Sequence, residues 1–194
     1  MQLAHHRSGN ANGPLVLFLH GFLGDASDWR DVLPAFEQRY QCLAPDLPGH
    51  GESQIDGPAE CGFVETATAL IELVDEAGAD TFSMVGYSMG GRIALYLASI
   101  YAMRIDALVL ESASPGLQSG DERRARREWD DAIARKLETM DMPAFLDEWY
   151  AQPLFATLQP DSEKLARLKS RRAHHDKRQL AAAMRALGTG TQPS

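Results

Sequence analysis

Cysteine is scarce in this 194-residue chain: Cys42 and Cys61 are its only two. They lack metal-type spacing, and two cysteines cannot make a disulfide framework, so reduced thiols in a cytoplasmic protein are expected. No run of about 18 apolar residues occurs, so no membrane insertion is expected. The first residues, Met1-Gln2-Leu3-Ala4-His5-His6-Arg7, show no long apolar segment, and no signal peptide is visible. Positive charge is also in short supply. Nineteen Lys and Arg face 27 Asp and Glu, a net charge of −8, which argues against general nucleic-acid binding. With 44% hydrophobic and 24% charged residues the chain is neither disordered nor fibrous. Its length supports one sizeable domain, with room for an inserted subdomain. No internal repeat is present. The charge is uneven: residues 1–110 hold 5 Lys/Arg against 14 Asp/Glu, whereas residues 111–194 hold 14 against 13. That locally basic second part suits either a solvated helical face or an anionic small molecule.

The stretch that carries chemistry is Gly86-Tyr87-Ser88-Met89-Gly90. It fits the G-x-S-x-G pattern, in which a sharp strand-to-helix turn lifts a serine hydroxyl above a sheet. An apolar strand precedes it and an amphipathic helix follows, with Ile93, Leu97 and Ile100 on one face. The helix directs the positive end of its dipole at the serine.

Earlier in the chain, residues 1–8 are expected to form an edge strand. Leu15-Val16-Leu17-Phe18-Leu19 is a continuous apolar run, the pattern of a parallel strand buried on both faces. It ends in His20-Gly21-Phe22-Leu23-Gly24. Residues 25–36 read as helical, and residues 41–46 as a poorer strand leading into the glycine-rich loop 47–53. Residues 59–77 have helical apolar spacing, and Gly78 supplies a stop. Residues 105–110 read as another buried strand, ending at Glu111. The alternation predicts an α/β domain with a parallel sheet flanked by helices, whose ligand sites lie at the carboxyl ends of the strands. His20, Asp46, Ser88 and Glu111 sit at such ends. After Pro115-Gly116 the pattern turns helical over 121–139, 142–150, 162–169 and 178–187. Residues 1–113 are therefore expected to form the core and residues 114–187 a helical cap or insertion. Residues 188–194 are expected to be a loop.

A serine hydroxyl needs a histidine, itself held by a carboxylate, to take its proton. In this fold the partners follow in the order Ser, Asp or Glu, His. After Ser88 only His174 and His175 are available, within the charged stretch 171–177, and both read as solvated surface histidines; Asp176 reads likewise. An oxyanion hole is better supplied: the backbone N–H groups of Met89 and Phe22 occupy the two required places. His20 and His50 are assigned to holding their own loops. Arg92 lies one helical turn after Ser88, where a small or apolar residue is usual. A guanidinium there implies a buried ion pair or an anion ligand.

Taken together, the 20–24 loop, Asp46-Leu47-Pro48-Gly49-His50-Gly51 and Gly86-Tyr87-Ser88-Met89-Gly90-Gly91-Arg92 resemble the α/β-hydrolase superfamily. Further segments resemble one branch of it, the 2-succinyl-6-hydroxy-2,4-cyclohexadiene-1-carboxylate synthases of menaquinone biosynthesis. These are Pro115-Gly116-Leu117, the run 123–129, Trp149-Tyr150-Ala151-Gln152-Pro153-Leu154-Phe155 and Gly188-Thr189-Gly190-Thr191-Gln192-Pro193-Ser194. The resemblance covers essentially the whole chain. It implies a lyase that removes a ring proton from 2-succinyl-5-enolpyruvoyl-6-hydroxy-3-cyclohexene-1-carboxylate and expels pyruvate, with no cofactor and no metal. Ser88 would act in proton abstraction, with Phe22 and Met89 as oxyanion donors. Arg92 and Arg126 would bind carboxylates of a small polycarboxylate substrate, and Tyr87 and Trp149 would line the pocket. A third cationic ligand falls among Lys169, Arg171 and Arg172, with Arg172 taken as the choice.

Members of the branch continue into further core strands that supply the triad aspartate and histidine. On that resemblance the chain is expected to be a C-terminally truncated form, lacking the last core strands and with an open sheet edge. Competing readings are a serine esterase or thioesterase of the same fold, and a fragment that binds without turnover. The arginines discriminate against an esterase for neutral acyl chains. Oligomeric state is left open.

Overall fold

The computed structural model describes residues 1–55 and 61–193. Five strands form one sheet: β1 (His5–Gly9), β2 (Leu15–Leu19), β3 (Gln41–Pro45), β4 (Phe82–Tyr87) and β5 (Ile105–Glu111). Their spatial order is β1-β3-β2-β4-β5, with β1 antiparallel to β3 and the remaining neighbours parallel. Strands β2 and β3 are buried at every residue. That explains their uninterrupted apolar sequence, because a strand covered on both faces has no polar side to alternate with.

Helix α1 (Phe63–Glu76) packs Phe63, Ala67, Leu70 and Val74 into the main core, and α2 (Met89–Ile100) adds Ile93, Ala94 and Leu97. The expected start of the first of these helices, at residues 59–60, lies outside the described residues. The helix ends at Ala77, and Gly78 takes φ 77°, a left-handed conformation open to glycine.

Two expectations need correcting. Residues 25–36 do not form one α-helix. They form two 3₁₀ turns, Ala26–Trp29 and Leu33–Ala35, the first capped by the Asp25 carboxylate and the second carrying Pro34 in its first turn. Proline lacks the N–H that would carry a longer helix through this point. Strand β5 is also not buried. Every residue of it is exposed or half-exposed, with Val109 at 56% and Leu110 at 40%. Among the described residues it pairs only with β4. Apolar composition alone marks a strand that suits a core and says nothing of whether anything covers it.

Beyond β5 come α3 (Gly120–Thr139), α4 (Met142–Tyr150), α5 (Ser162–Arg172) and α6 (Lys177–Leu187), with a 3₁₀ stretch at Pro153–Leu158. Helix α3 opens on a capping box, Ser119 and Glu122 each accepting the other's backbone N–H. These helices enclose a second apolar cluster that includes Leu137, Phe145, Leu146, Leu180 and Met184. Helix α6 serves both clusters, because Ala183 and Leu187 on its other side enter the main core. Leu23, from the loop after β2, is buried in the second cluster, so that loop is gripped from above. Both cysteines are buried and unpaired, and burial raises the Cys61 thiol to about 12. Among the described residues no helix is long and apolar enough to cross a membrane, and no side-chain group suits a metal ion.

Candidate active site

Among the described residues, three other than glycine adopt positive φ: Leu23, Ser88 and Ser112. They follow β2, β4 and β5, so backbone strain gathers at the carboxyl ends of the strands, where a parallel sheet places its ligands. Ser88 has φ 52° and ψ −111°, away from even the left-handed well. Its N–H donates to Glu111 O at 2.9 Å and its carbonyl accepts from Arg92 N–H at 3.0 Å. The turn closes because position 90 is glycine: a Cβ there would stand 2.3 Å from Leu19 O and 2.5 Å from His20 O. Gly90 N–H instead donates to His20 O at 3.0 Å, tying the elbow to the loop after β2. Gly21 touches the elbow in the same manner, and a Cβ at that position would lie 3.4 Å from Ser88 Cβ.

The backbone N–H groups of Phe22 and Met89 flank this contact, and among the described residues neither has a hydrogen-bond partner. Met89 opens α2, whose dipole adds positive potential at Ser88. Phe22 packs its ring 5.5 Å from His50 and 5.4 Å from Trp149. The loop after β2, the elbow and α4 therefore meet here. Tyr87, 38% exposed, lines a cavity of about 270 Å³ with His20, Gly21, Asp28, Trp29, Val32 and Glu111. Burial, and then the charge of Glu111, raise its hydroxyl above the ordinary tyrosine value. A larger cavity of about 640 Å³ opens elsewhere, beside His5, His6 and Arg30, and includes neither Ser88 nor an arginine of the site.

Among the described residues no group hydrogen-bonds the Ser88 hydroxyl. His20 holds its own loop: its Nδ1 meets Gly21 O at 2.8 Å and its Nε2 accepts from Leu47 N–H at 2.8 Å. This pattern requires the neutral ring, which burial also favours by lowering its pKa. His50 meets Pro48 O through Nδ1, and its pKa lies well below the ordinary value, by burial first and then by the proximity of His20.

His175 departs from the surface role expected of it. The stretch 171–177 is not one helix: α5 ends at Arg172 and α6 begins at Lys177, and the turn between them carries His175 inward to 5% side-chain exposure. Its Nδ1 accepts from Gly51 N–H at 3.2 Å, and its ring meets His50 edge to face. His174 stays exposed, and Asp176 caps α6 through Arg178 and Gln179 N–H.

Arg92 donates through Nη1 to Leu187 O at 2.8 Å. Among the described residues it makes no ion pair, so the buried-pair alternative for this residue falls away. Its pKa drops to about 10, by burial first and then by the positive charge of Arg126, with Asp130 opposing. Arg126 donates through Nε to Asp130 Oδ1 at 2.8 Å and lies 4.5 Å from the centre of the Trp129 ring. Arg172 is buried and pairs with Asp28 at 2.6 Å, whereas Arg171 is 3.8 Å from Asp28 and Lys169 pairs with Asp147. Burial opposes the Arg172 charge, but the hydrogen bond and charge of Asp28 outweigh it and raise its pKa. The structure thus brings Tyr87, Ser88, Phe22, Met89 and Trp149 into one region, ties Arg92 and, through Asp130, Arg126 to the 187–190 turn, and gives Arg172 an internal partner. Asp28 and Asp130, which hold two of the arginines, carry no sequence signal beyond their spacing. Asp130 stands four residues after Arg126, but nothing in the order of residues tells it from its exposed neighbour Asp131.

A mostly parallel sheet with a strained serine on a glycine-packed strand-to-helix turn defines the α/β-hydrolase class. The family model described as alpha/beta hydrolase fold matches residues 14–181. Within that class, the chain is 34% identical over 193 residues to 2-succinyl-6-hydroxy-2,4-cyclohexadiene-1-carboxylate synthase of Escherichia coli, covering 98% of this chain and 73% of the relative. It is also 34% identical over 199 residues to Protein PHYLLO, chloroplastic, of Arabidopsis thaliana, spanning 98% of this chain and 12% of that protein. The solved structure of MenH from S. aureus superposes with a TM-score of 0.89 at 33% identity, over 99% of this chain and 73% of that one. The chain belongs to the 2-succinyl-6-hydroxy-2,4-cyclohexadiene-1-carboxylate synthase family.

Proposed function

We propose that the site performs the elimination for which its relatives are named, and that its substrate is a small polycarboxylate. The observation that carries this reading is that Arg92, one helical turn after Ser88, and Arg126 are tied to the same turn, at Leu187 O and, through Asp130, at Gly190 N–H, with no carboxylate paired to Arg92 among the described residues. Two like charges held close, one of them more than half buried, are costly unless an anion completes the site. A pocket for neutral acyl chains would not retain them.

On this reading the substrate carboxylates sit against the two guanidinia, which present paired donors suited to planar anions. Ser88, once activated, takes the ring proton. The electrons of that C2–H bond form C2=C3, the C3=C4 pair moves to C4=C5, the C5–O bond to the enolpyruvoyl group breaks, and the pyruvate enolate so released takes up a proton and departs as pyruvate. Negative charge that develops on the substrate meets the N–H groups of Phe22 and Met89 and the start of α2, which are already oriented. The base for Ser88 is not among the described residues, and the cofactor-free chemistry otherwise needs only groups present here. The helices over 114–187 would act as the cap, adding Arg126 to the Arg92 that α2 supplies from the core.

Pyruvate release from 2-succinyl-5-enolpyruvoyl-6-hydroxy-3-cyclohexene-1-carboxylate tests the reading. It should be measured with this chain alone, and with this chain joined to the part of the S. aureus relative outside the aligned region. Release that Ser88→Ala abolishes is the expected result. Hydrolysis of simple esters far faster than pyruvate release would overturn the assignment in favour of an esterase. Binding of the substrate without release in either form would leave only a binding role.

A further inference from the structure

The Gly188-Thr189-Gly190 segment takes no part in the chemistry proposed above, yet both arginines of the site are anchored at it. Arg92 reaches the residue just before it, donating to Leu187 O at 2.8 Å. Arg126 reaches it through Asp130, whose Oδ1 accepts from Arg126 Nε and whose Oδ2 accepts from Gly190 N–H at 3.3 Å. The Asp130 side chain is only 3% exposed. Glycine permits this approach: a Cβ at 188 would stand 2.3 Å from Asp130 Oδ2, and one at 190 would stand 2.6 Å from Arg127 Cγ. Helix α3 clamps the same segment twice more, Arg127 donating to Gly190 O at 3.0 Å and Arg123 to Gln192 O at 2.7 Å.

A carboxylate so buried is a poor stabiliser, since apolar packing of the same volume commonly holds a fold at least as well. Orientation is what it adds. Asp130 occupies only Nε of Arg126, and the Trp129 ring lies 4.5 Å from the guanidinium. Among the described residues the two Nη groups of Arg126 have no hydrogen-bond partner, so they are held ready for an anion. The same turn fixes Arg92, so the separation of the two guanidinia is set by the α6 end and Asp130 and does not depend on flexible side chains.

We propose that Asp130 is a positioning residue that orients Arg126 and, through the 187–190 turn, fixes its separation from Arg92, so that the pair selects a dicarboxylate over a monocarboxylate. This rests on the polycarboxylate reading above. Asp130 itself touches no reacting atom.

The test is calorimetric titration of the full chain with 2-succinylbenzoate, a stable aromatic dicarboxylate, and with benzoate. Asp130→Asn keeps the shape and removes the charge. It should weaken 2-succinylbenzoate binding about tenfold or more, in line with the cost of a misplaced binding group, and change benzoate binding by less than about twofold. In an Arg126→Ala background the same substitution should add less than about twofold, because its effect runs through Arg126. Unchanged dicarboxylate binding by Asp130→Asn overturns the proposal, and so does an equal loss in both backgrounds, which would mark a purely structural role. Should Asp130→Asn not fold, the wild-type chain gives a second measurement. The Arg126 Nε–H signal in ¹⁵N NMR should be protected from solvent exchange while its Nη signals shift on adding 2-succinylbenzoate. A rapidly exchanging Nε–H overturns the proposal. Absence of any wild-type binding instead sinks the polycarboxylate reading itself, and this proposal with it.

Discussion

The elbow and the helices above it hold their functional groups by opposite means. At the elbow, position is imposed by sterics: Ser88 is placed by a strained backbone, by glycines with carbonyl groups against them, and by hydrogen bonds from backbone to backbone. No side-chain charge takes part. Above it, position is imposed by charge. Asp130 holds Arg126 and Asp28 holds Arg172, while the Leu187 carbonyl at the end of α6 reaches Arg92 on the elbow's own helix. The contrast follows from what each part must present. A nucleophile and N–H donors need a single rigid backbone path, whereas cationic groups on long side chains need partners that remove their rotamer freedom. A site of the first kind breaks all at once, and a site of the second kind degrades by steps.

Substitutions can sharpen or break this contrast. The largest expected effect is that of Gly90→Ala, whose Cβ would enter the carbonyls of Leu19 and His20. A loss above about 4 kcal/mol, or failure to fold, is expected in urea denaturation. A stability within 1 kcal/mol of wild type, to order of magnitude, would show that the elbow is not sterically determined. Next comes Asp28→Ala, which leaves the buried Arg172 without its partner. It should cost about 3 kcal/mol of stability, and Asp28→Ala combined with Arg172→Met should recover much of that. Arg92→Ala should leave the fold nearly intact and cost about 2–3 kcal/mol in kcat/KM for pyruvate release, or in binding of 2-succinylbenzoate. Wild-type behaviour would remove Arg92 from the ligand set.

The pH dependence comes from the loop between these regions. His20, His50 and His175 have folded pKa values below the ordinary value near 6.5, so the unfolded chain binds more protons as pH falls. Their contribution is complete above about pH 7.5 and is lost as pH drops below about 6.5, at up to ~1.4 kcal/mol per pH unit for each proton. Denaturant midpoints followed from pH 8 to 5 should fall, with a shallower slope for His50→Gln. A flat profile would contradict the buried neutral rings. The smallest effect expected is that of Ser119→Ala at the start of α3, about 1 kcal/mol from loss of the capping box. A thermal melt would register it without any change in ligand binding.

Much of this architecture is legible from local pattern. The apolar run 15–19, the helical spacing of 63–74 and the glycines around Ser88 each answer to a short-range rule of backbone geometry, and each forms where expected. The failures lie where a partner distant in sequence decides. Residues 105–110 have the composition of a core strand but form an exposed edge. His175 sits in a charged run yet is drawn under the 47–51 loop. Of the adjacent Asp130 and Asp131, one is buried against Gly190 and the other meets Arg185 on the outside.

By itself, then, the order of residues determined the α/β alternation and the strained strand-to-helix turn at Ser88, because these follow from periodicity, glycine sterics and the start of a helix. Only the tertiary structure decided which of the charges have a carboxylate partner. Arg172 is internally neutralised, Arg92 has no carboxylate partner among the described residues, and Arg126 is held through one nitrogen by an aspartate anchored at a glycine turn some 60 residues on. The physical reason is that a charge on a long side chain is settled by whatever lies within a few ångströms of its tip, and in a folded chain that neighbour is seldom near in sequence.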